Sequence, residues 1–366
     1  MAKVRHVLGI SGGKDSTALA IYLKQKYPSL DLEYYFCDTG KELPETYKLL
    51  KDLRIFLGKE IKLLKAAPDS PKDPFDHFMT LFGGYIPSSN VRWCTAKLKL
   101  EPFEQFVGND PVVSYVGIRG DEDREGYISK KENIQSIFPF RKNIWSEDII
   151  NMVLKNDNLQ MFVNIYEKEV KIKDKKILID ILKKPLSFKF TQNQKLNSLL
   201  DFSVSSFNKA IFEFLKETNY PLSLLDSYPL VDNEDVLGLN EIISLLESSS
   251  IGVPSYYDKK EFDVDGKKGS YNRSRSGCYF CFFQQKIEWV WLYENHRDLF
   301  IKAMEYEKDG YTWMQGESLE QLINPARIEQ IKSDQLKRIN SNSSKKSQYL
   351  LDILDNERDA CTACSI

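Results

Sequence analysis

The segment around residue 10 constrains the fold of this 366-residue chain more than any other. A short apolar run, VRHVLGIS, precedes Gly12 and Gly13, and STALAIYLKQKY follows with apolar residues at helical spacing. This pattern predicts a buried strand, a tight turn and a helix. The glycines allow a turn with bare N–H groups, and the N-terminus of the helix directs its positive dipole end at that turn. With Lys14 and the hydroxyls of Ser11 and Ser16, the turn predicts a cradle for an oxyanion.

The residues that follow repeat the order of strand and helix. The runs LDLEYYFCDTG and KEIKLLKA predict two further strands, with a helix over ELPETYKLLKDLRIFLG between them. The run PVVSYVGIRGDED predicts another buried strand that ends in a turn rich in glycine and charge. This order is typical of an α/β fold, and we predict a parallel twisted sheet with helices on both faces. Because ligands bind at the carboxyl ends of strands in such sheets, the turns SGGKDS, DTG and GIRGDED are expected to share one site.

Changes in composition predict four regions along the chain. Residues 1–150 would form the first part of the sheet domain, and residues 155–250 would form an inserted, mainly helical subdomain. Residues 251–340 return to the first composition and would complete the catalytic domain with a helical C-terminal part. Residues 341–366 begin with a polar stretch and predict a C-terminal tail that contains a Cys-x-x-Cys pair.

The predicted insertion has an uneven distribution of charge. Residues 151–200 hold ten lysines and five acidic residues, whereas residues 201–250 hold two lysines and nine acidic residues. The lysine-rich half is either an ordinary solvated surface or a contact for the phosphate backbone of a nucleic acid. The net charge of the whole chain is −2, which gives no general case for nucleic-acid binding, so only a local patch could provide it.

The sequence predicts a cytoplasmic protein without a membrane span, since no run of about 18 apolar residues occurs in it. The N-terminus leads directly into the first strand, which leaves no room for a signal peptide. Four of the six cysteines form two Cys-x-x-Cys pairs, Cys278 with Cys281 and Cys361 with Cys364. In a reducing compartment this spacing favours metal binding or redox chemistry over structural disulfides.

The glycine turn differs from the usual P-loop, which has four residues between its first glycine and Gly-Lys-Ser/Thr. Here Asp15 follows Lys14 directly. A carboxylate beside a phosphate is unfavourable unless a cation lies between them. We therefore expect Mg²⁺ between Asp15 and the phosphate oxygens of a bound nucleotide.

The sequence SGGKDS after a first strand resembles the pyrophosphate loop of the N-type ATP pyrophosphatase superfamily. That superfamily includes adenylating amidotransferases, tRNA thiolation enzymes and phosphoadenosine phosphosulfate (PAPS) reductases. Its ATP-cleaving members release pyrophosphate and leave an AMP-activated substrate. The resemblance implies an adenine nucleotide α-hydrolase-like fold and an ATP site. It assigns the β- and γ-phosphates of ATP to Ser11, Gly12, Gly13, Lys14, Asp15 and Ser16.

Later segments resemble the PAPS reductase-like family, in the order in which that family has them. They are CDTGKELPETY, VRWCTAKLKLEPF, GIRGDEDREGY, FPFRKNIWSEDI and GVPSYYD…RSGCYFCFF, and they lie in residues 1–150 and 251–300. The spacing within GIRGDEDREGY is not identical to the family's pattern, and the inserted block has no counterpart in it. Each segment is a weak signal alone, and their shared order makes the set specific.

The resemblance also implies roles for residues beyond the loop. The further nucleotide-binding residues it implies are Asp38, Thr39, Gly117 and Arg119. The catalytic residues it implies are Lys14, Asp15 and Arg119. Three more basic residues in these motifs are candidate phosphate contacts or surface ion-pair partners: Arg92, Lys97 and Arg124.

The complete loop favours an ATP-cleaving enzyme similar to the DndC-like proteins of bacterial DNA phosphorothioation. In PAPS reductases the loop is degraded as a family trait, and their C-terminal Glu-Cys-Gly segment is replaced here by CTACSI. The DndC-like resemblance implies sulfur transfer to a nucleic acid, a part in phage defence and a cysteine desulfurase as sulfur donor. The acceptor stays open among DNA, tRNA and a small molecule. Two other functions stay open, a PAPS or adenosine phosphosulfate reductase and a non-catalytic nucleotide-binding subunit of a defence complex.

Cys94, Cys278 and Cys281 lie in segments that resemble the cluster-binding parts of this branch. Three thiolates from two distant segments would hold a [4Fe–4S] cluster whose open iron carries a sulfide for transfer. Zn²⁺ is the alternative, since Cys-x-x-Cys suits it equally well, and free thiols are a third possibility. The candidates for a fourth ligand are Cys361, Cys364 and His296, or none. The two tail cysteines would otherwise form a redox relay or belong to a mobile end.

Overall fold

The structure of the chain is a computed structural model that describes residues 3–124, 128–169, 175–308 and 310–344. The strands are β1 (Arg5–Gly9), β2 (Leu32–Cys37), β3 (Ile61–Leu64), β4 (Val112–Tyr115), β5 (Ile134–Ile137), β6 (Lys260–Val264) and β7 (Lys267–Tyr271). The helices are α1 (Lys14–Lys26), α2 (Pro44–Leu57), α3 (Pro74–Leu81), α4 (Trp93–Thr95), α5 (Glu101–Val107), α6 (Glu147–Leu154), α7 (Leu159–Glu169), α8 (Lys175–Lys183), α9 (Gln192–Phe202), α10 (Val204–Leu215), α11 (Leu239–Ser248), α12 (Lys286–Asn295), α13 (Arg297–Met304), α14 (Leu319–Leu322) and α15 (Pro325–Ser344). A π-helical turn, Ala96–Leu100, joins α4 to α5.

The first five strands form one sheet in the order β3-β2-β1-β4-β5, and every neighbouring pair is parallel. The chain runs outward from β1 through β2 to β3, and then returns to the other side of β1 for β4 and β5. The strand order therefore reverses between β1 and β4, which is where ligands bind in open α/β sheets. Leu8 of β1 lies opposite Tyr115 of β4, so the segments that follow these two strands leave the sheet side by side.

Successive residues of the strands point to opposite faces of the sheet, as the strand period of two requires. Leu8 and Tyr34 join the apolar core on the side of α1. Val7 and Tyr35 pack instead with Phe103 of α5 on the other side. Helices thus cover both faces, and the predicted α/β fold with a parallel sheet is confirmed.

Helices α7–α11 occupy the region predicted as an insertion. Their apolar side chains belong to the same core that covers the α1 side of the sheet, and this core extends from Val4 to Leu246. Helix α11 packs directly on α1, and its residues Ile242 and Leu246 are fully buried there. The last helix of this region therefore lies against the helix that follows the glycine turn.

A second core lies in the C-terminal part, where the antiparallel hairpin β6–β7 packs with α12 and α15. Trp289 and Trp291 of α12 are buried in it. An antiparallel bridge between Glu42 and Cys278 joins this part to the segment after β2. No helix in the described parts of the chain is both long enough and apolar enough to span a bilayer.

Candidate functional site

The glycine turn between β1 and α1 is fixed by hydrogen bonds of its own serine and threonine side chains. The backbone N–H of Ser11 donates to Ser16 Oγ at 3.1 Å, and the two serine hydroxyl oxygens lie 3.0 Å apart. Thr17 Oγ1 donates to the carbonyl of Gly13 at 2.8 Å. Gly13 is the residue before the first turn of α1, and no side chain caps its N-terminus. The turn is therefore preformed at the positive end of the α1 dipole.

Both glycines of the turn are enclosed by side chains from distant parts of the sequence. Gly12 has φ of +78°, and a Cβ atom on it would lie 2.6 Å from Thr46 Cγ2 in α2. A Cβ atom on Gly13 would lie 2.7 Å from the hydroxyl of Ser276. The carbonyl of Gly12 accepts a hydrogen bond from the hydroxyl of Tyr256. The turn therefore contacts both α2 and the segment that leads to Cys278, and the positive φ with the close methyl group of Thr46 requires glycine at position 12.

Lys14 and Asp15 begin α1 and place opposite charges beside the turn. The ammonium of Lys14 lies 3.6 Å from Asp15 Oδ2 and 5.0 Å from the ring centre of Tyr257. The side chain of Lys14 is only 13% exposed. A cation held in this way beside the N-terminus of a helix suits a phosphate group.

Arg119 follows β4 and pairs with several carboxylates at the site. Its Nη1 lies 3.2 Å from Asp15 Oδ1 and 2.9 Å from Glu122 Oε1, and its Nε lies 2.8 Å from Asp121 Oδ1. The side chain is 3% exposed, so these charges interact in a largely desolvated setting. Burial raises the pKa of Glu122, although Arg124 and Arg119 act in the opposite direction. One guanidinium therefore gathers three carboxylates at the edge of the glycine turn.

The turns after β1 and β4 are in direct contact. A Cβ atom on Gly117 would lie 2.9 Å from the carbonyl oxygen of Asp15, so the absence of a side chain at Gly117 allows the approach. Together with the Asp15–Arg119 ion pair, this contact brings SGGKDS and GIRGDED to one place at the reversal of strand order. The sequence predicted this proximity from the position of both turns at strand ends.

The third predicted turn, after β2, faces the Cys-x-x-Cys segment. Asp38 is buried, and its Oδ1 accepts from the N–H of Gly40 and from the hydroxyl of Tyr47, each at 2.9 Å. Thr39 Oγ1 donates to Glu42 Oε1 at 2.8 Å and lies 3.2 Å from Cys278 Sγ. Thr39 therefore connects the strand end to a cysteine that is 239 residues away in sequence.

Cys94, Cys278 and Cys281 are all partly buried, and burial holds the pKa of the Cys278 thiol well above its ordinary value. Among the residues that the structure describes, no three or more cysteine, histidine, aspartate or glutamate side chains come together as a metal-binding group. The three cysteines thus do not form an assembled ligand set for the predicted [4Fe–4S] cluster or for Zn²⁺. Cys361 and Cys364 lie outside the described residues.

The other basic candidates, Lys97, Arg124 and Arg92, each have an acidic or aromatic partner. Lys97, in the π-helical turn after α4, pairs with Glu101, the first residue of α5, at 2.6 Å. Arg124 Nε lies 2.8 Å from Glu122 Oε2. The guanidinium of Arg92 lies 4.9 Å from the ring centre of Phe283.

Sequence reasoning missed two residues that the fold places at the site, namely Glu42 and Tyr256. It did single out Arg273, shortly before Cys278, as a candidate contact for a substrate phosphate or a cluster sulfur. Tyr256 contacts the glycine turn, and Arg273 is 1% exposed and donates from Nη2 to the carbonyl of Cys278 at 3.1 Å. Glu42 is buried, and burial raises its pKa. Glu42 lies in the segment CDTGKELPETY and Tyr256 lies in GVPSYYD. No spacing rule connects Glu42 with Cys278 or Tyr256 with Gly12, since each pair is more than 200 residues apart in the sequence.

Comparisons with known proteins agree with the predicted family in part of the chain. Residues 5–170 match the family model of the phosphoadenosine phosphosulfate reductase domain. The resemblance to the PAPS reductase family is therefore confirmed over these residues. The match does not distinguish the DndC-like subgroup from the rest of the family.

Curated relatives match less than half of this chain. An uncharacterised protein of Methanocaldococcus jannaschii is 33% identical over 153 residues, which cover 38% of this chain and 30% of that protein. A second protein of this organism is 28% identical over 159 residues, covering 40% of this chain and 36% of that protein. An uncharacterised nin region protein of Escherichia phage lambda is 28% identical over 145 residues, or 32% of this chain and 49% of that protein. The chain thus matches less than half the length of each of these relatives.

A solved structure also shows similarity. The phosphate complex of a PAPS reductase from Candida auris is 19% identical, with a TM-score of 0.29, and the match covers 51% of this chain and 83% of that chain.

Proposed function

We propose that the chain binds ATP on the turn of residues 11–16, releases pyrophosphate and activates an acceptor for sulfur transfer. The observation that carries this proposal is the contact between this turn and the Arg119 turn, at the reversal of strand order. The N–H groups at the start of α1, the α1 dipole, the half-buried Lys14 and the buried Arg119 converge there. Such a set of donors suits the β- and γ-phosphates of a nucleotide.

The proposed reaction begins with attack of an acceptor oxygen on the α-phosphate of ATP. The bond to the bridging oxygen breaks, and that oxygen leaves with the pyrophosphate and its negative charge. Lys14, Arg119 and the N–H groups of the turn offset this charge, which is the main contribution a protein makes to phosphoryl transfer. The outer sulfur of a persulfide formed on a cysteine desulfurase then displaces AMP from the activated acceptor, which leaves the acceptor joined to the donor cysteine by an S–S bond. A second thiol attacks the donor cysteine's sulfur, forms a disulfide with it and releases the acceptor with the transferred sulfur.

Asp15 fits a role in holding Mg²⁺ beside the phosphates. Its carboxylate lies at the edge of the turn and is 23% exposed, with Lys14 and Arg119 as its present partners. Oxygen ligands from one carboxylate plus substrate phosphates are the usual setting for Mg²⁺. The ion would neutralise charge on the phosphates and so lower the barrier to release of pyrophosphate.

A nucleic acid is the acceptor class that we favour, on the DndC-like resemblance and on one surface of the insertion. Lys183 ends α8, Lys184 follows it, and Lys189 comes shortly after, and all three are exposed. Phe188 lies among them with its side chain fully exposed. Lysines that meet phosphates beside an aromatic ring that stacks on a base are typical of single-stranded nucleic-acid contacts.

The proposal is tested by measuring conversion of ATP to AMP and pyrophosphate in the Lys14→Ala variant. We expect a loss of about 100-fold in the rate, because a cation that offsets developing charge is removed. Lys48→Ala is the matched control, since Lys48 lies on α2 with 77% of its side chain exposed. Equal rates for Lys14→Ala, Lys48→Ala and the wild-type protein would refute the assignment of the turn.

A reductase of PAPS or adenosine phosphosulfate is the second candidate, and the name of the matching family model favours it. The two functions differ in their use of ATP. A reductase would turn over a sulfonucleotide with thioredoxin as reductant and would release no pyrophosphate from ATP. Parallel assays with ATP and with both sulfonucleotides therefore separate the two candidates.

A further inference from the structure

We propose that Asp121 is a positioning residue through which the helical insertion holds Arg119 in the nucleotide site. The inference rests on the proposed function, because it gives the insertion a part in nucleotide binding at that site. Its basis is a chain of hydrogen bonds that leads from the end of the insertion to the guanidinium of Arg119.

Asp121 bridges two elements with its two carboxylate oxygens. Oδ1 accepts from Arg119 Nε at 2.8 Å, and Oδ2 accepts from the backbone N–H of Leu239 at 3.0 Å. Leu239 is the first residue of α11, so the carboxylate also lies at the positive end of that helix dipole. Because Asp121 occupies Nε, the opposite edge of the guanidinium is directed towards Asp15.

The segment before α11 is built into the same corner by backbone hydrogen bonds. The carbonyl of Leu237 accepts from the N–H of Gly120 at 2.9 Å, and the N–H of Leu237 donates to the carbonyl of Phe140 at 3.0 Å. The end of the insertion thus lies between the segment after β4 and the segment after β5. A Cβ atom on Gly238 would lie 3.2 Å from Asp121 Oδ2, so this close approach uses a residue without a side chain.

A buried asparagine fixes the insertion to the sheet domain a few residues earlier. Asn233 is 1% exposed, and its Oδ1 accepts from the hydroxyl of Tyr22 in α1 at 2.8 Å. Its Nδ2 donates to the carbonyl of Pro139, also at 2.8 Å. The stretch from Asn233 to Leu239 therefore has little freedom to move independently of the glycine turn and of Arg119. A change in the position of α11 is expected to reach Arg119 through Asp121.

The test removes one hydrogen-bond donor from the insertion and substitutes no residue of the nucleotide site. Leu239→Pro lacks the backbone N–H that donates to Asp121 Oδ2, and proline is well tolerated at the first position of a helix. Gly238 has φ of −95° and ψ of −169°, an extended conformation that suits a residue before proline. Leu239→Ala is the matched reference, since it trims the side chain but keeps the N–H.

The readout is the Kd of a non-hydrolysable ATP analogue, measured by calorimetry on the full chain. We expect Leu239→Pro to bind the analogue about three- to tenfold more weakly than Leu239→Ala, since a hydrogen bond to a charged group is lost one step from the site. Equal Kd values for the two variants would overturn the coupling. If the wild-type protein did not bind the analogue, the proposed function would fail, and the coupling with it.

A double-mutant cycle keeps the test decisive even if proline lowers the Tm. Asp121→Asn has nearly the same shape but cannot accept from both donors with its amide group. If Asp121 acts through Arg119, the double variant Asp121→Asn, Arg119→Lys binds the analogue no more weakly than Arg119→Lys alone. Losses that add up in the double variant would show that Asp121 acts by another route and would overturn the inference.

Discussion

At the scale of single residues, position 12 of the glycine turn restricts the amino acid that can occupy it. Gly12 has a φ of +78°, and a methyl group of Thr46 lies 2.6 Å from the position that a Cβ atom on Gly12 would take. Gly58, at the end of α2, has a similar φ of +66° but open space around it. The two glycines therefore separate the effect of backbone strain from the effect of a collision in the site.

Replacing Gly12 by alanine is expected to lower the free energy of unfolding by about 2–3 kcal/mol and to weaken binding of the ATP analogue. Gly58→Ala is expected to cost about 1 kcal/mol, because it carries the backbone strain alone, and to leave the Kd unchanged. Urea unfolding and calorimetry measure the two quantities. Unchanged binding in Gly12→Ala would contradict the placement of the nucleotide at this turn.

His6 in β1 makes a prediction about pH. Burial lowers its pKa from 6.5 to about 4, and its Nδ1 lies 2.9 Å from the hydroxyl of Tyr115. Between these two pH values the unfolded chain binds a proton that the folded chain does not, so stability falls as pH falls. Between pH 7 and pH 4.5, we expect the free energy of unfolding of His6→Gln to fall by about 1–3 kcal/mol less than that of the wild-type protein. The same pH dependence in the variant and the wild-type protein, measured by urea unfolding, would rule this out.

At the scale of elements, the strand–turn–helix unit of β1 and α1 was predictable because local signals agree with the tertiary contacts. Apolar residues in Leu8–Ile10 fit a buried strand, and the glycines that follow fit a turn held close to other backbone. The link between Thr39 and Cys278 was not predictable in the same way. It depends on how the C-terminal part packs, and no property of either segment alone determines that packing.

The sequence pattern also could not predict the contact between α11 and α1. The spacing of Ile242 and Leu246 predicts an amphipathic helix but not its partner. The structure places this helix on α1, so the region predicted as an insertion packs on the element that carries Lys14. The continuity of one core from the sheet to the insertion follows from the same packing.

Truncation of Leu246 tests this packing. Leu246 is fully buried, and Leu246→Ala is expected to lower the free energy of unfolding by about 2–4 kcal/mol through lost burial and a cavity. Leu224→Ala is the matched control in the same region, since Leu224 is 50% exposed, and it is expected to cost less than about 1 kcal/mol. Similar losses for the two variants would contradict the packing of α11 on α1.

At the scale of the whole molecule, the alternation of strands and helices was enough to predict a parallel sheet with the turns of the site at one edge, whereas the bound metal stays a prediction. Turns at the ends of β1 and β4 meet because parallel strands bring their carboxyl ends to one edge. The three cysteines were assigned to a cluster by resemblance alone, and the described residues do not bring them together as a ligand set. Spacing of cysteines in sequence predicts which pairs are neighbours, but it does not fix the distance between Cys94 and the distant Cys-x-x-Cys pair.

The most direct test of the central claim is a crystal structure of the protein with a non-hydrolysable ATP analogue. The account predicts that the β- and γ-phosphates contact the N–H groups of Gly12 and Gly13 and the ammonium of Lys14, with Arg119 beside them. An analogue bound elsewhere, with the turn of residues 11–16 making no contact with its phosphates, would contradict the account.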